Sequence, residues 1–114
     1  MDTATKPSFI SALGRARAIM LKAEPKLDLT LLEFRKSGGR WTKKPSALVI
    51  TIRRSFHDSA RHAEFNSDWT RKWNQQNRAI EAVRAALGGV ISEPVSEGYD
   101  YIITTRTLKV EVAK

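Results

Sequence analysis

The stretch ALVITIRRSF, residues 47–56, alternates apolar and polar side chains over most of its length, and an extended strand is the conformation that satisfies such a period. Leu48, Ile50, Ile52 and Phe56 would face one way, and Val49, Thr51, Arg53 and Ser55 the other. A strand with one apolar face needs backbone partners at its sides and a cover for that face. The rest of the chain offers both.

The cover comes from two helical stripes. Ser8 suits an N-cap, and Phe9, Leu13, Ala16 and Met20 recur at helical spacing after it, with Ile10 and Ile19 beside them, until Pro25 ends the run. A second stripe, Trp69, Trp73, Gln76, Ile80, Val83 and Leu87, advances in steps of three and four, which predicts a helix over 69–87 capped by Asp68 or Ser67 and closed by Gly88-Gly89. Its tryptophans are in phase with aliphatics, so core packing is expected of them rather than base stacking.

The partners come from three further segments. LDLTLLEFR, residues 27–35, alternates at Leu27, Leu29 and Leu31 and then shifts phase to Leu32 and Phe34; a strand with a bulge explains the shift, and so does a short helix. VIS and the following EPVSEG give a short strand and a turn. Residues 99–112 read as one long strand, or as two broken near Thr104–Arg106. Residues 57–68 look irregular or hold one helical turn.

The resulting order is α-β-β-α-β-β. It predicts an α+β two-layer sandwich, with an antiparallel sheet of about four strands and both helices on one face. Residues 1–7 form a polar lead expected to be flexible, and 8–114 a single domain. A compact chain of 114 residues would have a radius of gyration of about 13 Å.

Charge narrows the partners. Residues 1–56 hold 12 Lys/Arg against 4 Asp/Glu, whereas residues 57–114 hold 8 of each, so the whole net charge of +8 sits in the first half. Within residues 35–54 there are seven cations (Arg35, Lys36, Arg40, Lys43, Lys44, Arg53 and Arg54) and no acid. The segment KSGGRWTKKP, residues 36–45, joins the two predicted strands and adds Trp41 among its cations. Its lysines and arginine can meet phosphates, the Gly38-Gly39 amides can approach a backbone, and Trp41 can stack on a base. The expected function is therefore a small, basic, non-enzymatic nucleic-acid-binding protein, for DNA or RNA. It would use this hairpin, with Arg15 and Arg17 of the first helix in support.

Two other readings fit the same residues. A protein–protein effector or inhibitor, of the kind a phage or mobile element encodes against a host complex, could present the basic loop to an acidic surface. A small nuclease could use His57 or His62 in SFHDSARH, where Asp58 and Ser59 are also close in sequence. Catalytic sets are defined in space, however, and neither H-E-x-x-H nor a glycine-rich phosphate loop is present. No cofactor and no metal are expected, and the absence of cysteine removes disulfides and thiolate metal sites. No apolar run is long enough for a membrane span, and Arg15, Arg17 and Lys22 interrupt anything resembling a secretory signal, so a cytoplasmic location is expected and no membrane partner. An exposed edge strand would permit a homodimer.

Overall fold

A computed structural model describes residues 6–38, 46–57, 63–98 and 101–113. Ser8 does cap the first helix, α1 (Phe9–Ala23): its Oγ accepts from Ser11 N at 3.2 Å. Ala12, Ala16 and Met20, four residues apart, are wholly buried, while Phe9, Leu13 and Ile19 pack partly against the core. Ile10 falls off this stripe and stays 80% exposed.

The two explanations of 27–35 each hold for half of it. Asp28 accepts from Thr30 N at 2.9 Å and from Thr30 Oγ1 at 2.6 Å, which folds Leu29–Leu31 into a single 3₁₀ turn. Strand β1 (Glu33–Ser37) begins only after it. Leu27 and Leu32 are buried on either side of the turn, which is why the alternation changes phase there.

Strand β2 (Ala47–His57) follows the predicted alternation: Leu48, Ile50 and Ile52 lie in the core. Helix α2 (Ala63–Leu87) starts six residues earlier than the caps suggest. Ser67 and Asp68 lie inside it, because such residues favour caps without forbidding helix interiors when packing carries the element. Gln76, Ile80 and Val83 are buried and Trp73 packs against the core, as the stripe predicts.

Helix α2 ends at Gly88 (φ 79°) and Gly89 (φ 120°). A Cβ on Gly89 would lie 2.6 Å from the Lys109 carbonyl oxygen. Gly89→Ala therefore combines backbone strain with a clash, and should lower unfolding stability by about 2 kcal/mol in a urea melt.

The short strands β3 (Val90–Ile91) and β4 (Val95–Glu97), separated by Pro94, both pair with β5 (Tyr101–Glu111). Among the described residues the sheet thus has five strands rather than about four, all antiparallel, in the order β1-β2-β5-β3 with β4 also on β5. Strand β5 shows no break at Thr104–Arg106, because β2 pairs with it continuously from Ala47↔Glu111 to His57↔Tyr101. Both helices cover one face, where Leu48, Ile50, Ile52, Leu108, Val110 and Val112 meet Ala12, Ala16, Met20, Ala79, Ile80 and Val83. The two-layer α+β architecture is the predicted one. The radius of gyration is 15.7 Å rather than about 13 Å, in keeping with two eleven-residue strands and a 25-residue helix laid lengthwise.

The helices are tied at one end by Arg78, whose Nη2 and Nε donate to the two carboxylate oxygens of Glu24 at 3.0 and 3.2 Å. The guanidinium holds the Glu24 carboxyl below the usual glutamate range. A carboxyl whose pKa is lower folded than unfolded stabilises the fold above the unfolded value, and loses that contribution as pH falls through the folded one. Thermal stability should therefore decline as pH drops below about 4, and Glu24→Gln should flatten that decline while lowering stability at neutral pH.

Candidate nucleic-acid interface

The register decides which cations share a surface. Direct partners across strands lie on one face, so Arg35, Val49 and Lys109 form a row on the face the helices leave uncovered, with Val90 next in line. Arg35 and Lys109 are both exposed and stand two strand spacings apart, about 10 Å. Arg53 is on the same face of β2, four residues and about 13 Å beyond Val49, and is also exposed.

Lys36 points from β1 to the opposite face, the one that also carries Phe34, and is exposed at the rim. Arg17 of α1 reaches the same rim, its guanidinium 5.1 Å from the centroid of the Phe34 ring. Arg15 is exposed on α1. Because β1 is an outer strand, Arg35 on one side and Lys36 and Arg17 on the other form a cationic belt around one sheet edge. Arg54 sits apart from it: half-buried under the helix layer, its guanidinium lies 5.5 Å from the Trp73 ring centroid.

Arg40, Trp41, Lys43 and Lys44 lie outside the described residues. Their flanks do not. Ser46 N donates to Ser37 O at 2.8 Å, Ser46 Oγ does so at 3.1 Å, and Ser37 pairs with Ala47. Gly38 turns out of β1 at φ 82°, where a Cβ would collide with Ser46. The basic connection therefore leaves and rejoins the sheet at the end of the Arg35–Lys109 row. A hollow of ≈ 390 Å³ opens there, lined by Lys6, Ser46, Lys109, Glu111, Val112 and Ala113. Lys6 Nζ donates to Glu111 Oε1 at 2.6 Å and holds that carboxyl below its ordinary value, so the acid beside Lys109 on β5 is ion-paired. Glu33, two residues from Arg35 on the same face of β1, is the other acid beside the row.

Lys109 is the residue that the sequence reading missed. It falls within the strand read over residues 99–112, but nothing local said that β5 lies beside β2. The candidates for hydrolytic chemistry, Asp58, Ser59 and His62, lie outside the described residues, as does the side chain of His57. Among the described residues no three His, Cys, Asp or Glu side chains gather to hold a metal, and no helix is long and apolar enough to cross a membrane. Compared with protein-family models, with curated proteins and with solved structures, the chain matches none.

Proposed function

We propose that this α+β protein is a non-enzymatic nucleic-acid-binding protein, which holds the phosphate backbone at the β1 edge of its sheet and through the basic connection from β1 to β2. The carrying observation is the row Arg35–Val49–Lys109 at the root of that connection, which sets a cation from β1 and one from β5 beside the most basic segment of the chain. Phosphates are the ligand chemistry that suits exposed Lys and Arg on a rim, and such contacts give affinity with little sequence preference. Lys36 and Arg17 extend the surface around the edge. Fluorescence-anisotropy titration with labelled single- and double-stranded DNA and RNA is the test, and absence of binding at 50 mM salt overturns the reading.

A protein partner is the second reading, favoured by the exposed aliphatics Val95 (53%) and Ile103 (38%) on the helix-free face beside Glu97. Tight capture of one purified partner without nucleic-acid binding would establish it instead.

A further inference from the structure

Strand β2 outruns its outer neighbour. β1 pairs with residues 47–51 and stops at Glu33↔Thr51, while β2 continues to His57 against β5 alone. The Asp28–Thr30 turn takes the chain away from β2 just before Glu33, so β1 does not extend along the longer strand. Among the described residues no strand lies on this flank of 52–57.

The direction of the backbone groups follows from two bonds. Arg53 N donates to Gln76 Oε1 at 3.1 Å, which points it away from β5. On β5, Thr107 N bonds Ser92 Oγ at 3.0 Å and Thr107 O accepts from Ser92 N at 2.8 Å, away from β2. In an antiparallel ladder such directions repeat every second residue. The N–H and C=O groups of Ser55 and His57 therefore face this flank together with those of Arg53.

Gln76 blunts only the first of these positions. It is 1% exposed, and its Nε2 is buried without a hydrogen-bond partner. Natural edges are commonly blocked by Lys, Pro or bulges, whereas IRRSFH, residues 52–57, has neither Lys nor Pro. Where β1 stops, a hollow of ≈ 240 Å³ with Leu31, Leu32, Glu33, Thr51 and Arg53 in its lining opens beside this flank. It is large enough for one aliphatic side chain.

We propose that the 53–57 edge of β2 accepts an extended, acidic segment of another polypeptide as an added strand. Main-chain pairing would supply the attachment, and the hollow would take one apolar side chain. Charge selects the occupant. Arg53 is exposed at the edge, residues 52–57 hold no acid, and a second copy would bring another such cation between chains that each carry +8. This site is separate from the β1 rim and does not depend on nucleic-acid binding.

The test uses three labelled peptides and the full chain: EVEVEVE, EGEGEGE with the same charge but little strand preference, and KVKVKVK. The expected result is saturable binding of EVEVEVE, with the other two at least about tenfold weaker. Ser55→Pro removes an outward N–H that β5 does not use, so its melting curve should resemble wild type while binding of EVEVEVE falls roughly tenfold. Should that variant fail to fold, Arg53→Glu provides the second measurement, weakening EVEVEVE and favouring KVKVKVK. Equal binding of EVEVEVE and EGEGEGE would mean charge attraction alone and overturn the proposal, as would no binding of EVEVEVE by folded protein. A dimer in light scattering that Ser55→Pro dissolves would assign the edge to a second copy and overturn it too.

Discussion

Affinity of the wild-type protein for a labelled oligonucleotide will fall roughly a hundredfold between 50 and 200 mM salt, the slope expected for about four phosphate contacts. Arg35→Ala with Lys109→Ala should lower the log–log slope by about one per lost contact, with similar loss on every sequence tested. The triple variant Arg40→Ala, Lys43→Ala, Lys44→Ala should remove most of the remaining affinity at 200 mM. Arg54→Ala should leave the slope almost unchanged, because its guanidinium is turned under the helix layer against Trp73 rather than out at the rim. Trp41→Ala separates two modes: a loss of about 1–3 kcal/mol confined to single strands marks base stacking, and no loss marks a grip on phosphates alone. If the slope does not change in Arg35→Ala with Lys109→Ala, the row is not the contact surface.

The largest effect on stability is expected at the middle of the sheet. Ile50 is wholly buried and pairs with Phe34 on one side and Leu108 on the other, so Ile50→Ala leaves a cavity bounded by three strands and the helix layer. The cost should be about 2–5 kcal/mol, a large share of the roughly 5–15 kcal/mol that holds a domain of this size. The melting midpoint should fall by on the order of 10 °C. Ile10→Ala is the control: the side chain is 80% exposed, and the change should stay within about 0.5 kcal/mol. Chemical denaturation of both variants measures this directly, and equal losses at the two positions would contradict the assignment of the core.

How far each element could be read locally depended on whether its signal was periodic. Leu48, Ile50 and Ile52 announced a strand and its buried face, and Ile80 and Val83 a helix and its buried stripe, because one-sided burial imposes a period on the chain itself. Positions where a side chain competes with the backbone gave ambiguous signals. Asp28 draws Leu29–Leu31 into a turn although the leucines alternate as in a strand. Ser67 and Asp68 look like caps yet lie within α2. Gln76 read as part of the stripe of α2; what its amide oxygen serves is the Arg53 N–H, twenty-three residues away in sequence.

The amino-acid sequence alone determined the type of the strongly periodic elements, the apolar faces that drive helices and sheet together, and the concentration of all surplus charge in residues 1–56. Those properties are local, or are sums over the chain. Tertiary structure decided which strands became neighbours. It placed Lys109 across β2 from Arg35, turned Arg54 inward beside an outward Arg53, and left β2 longer than the strand at its side. Strand pairing is a contact between distant segments whose register depends on the whole packed sheet, so no window of sequence encodes it. The proposed phosphate rim and the free edge both arise at that level.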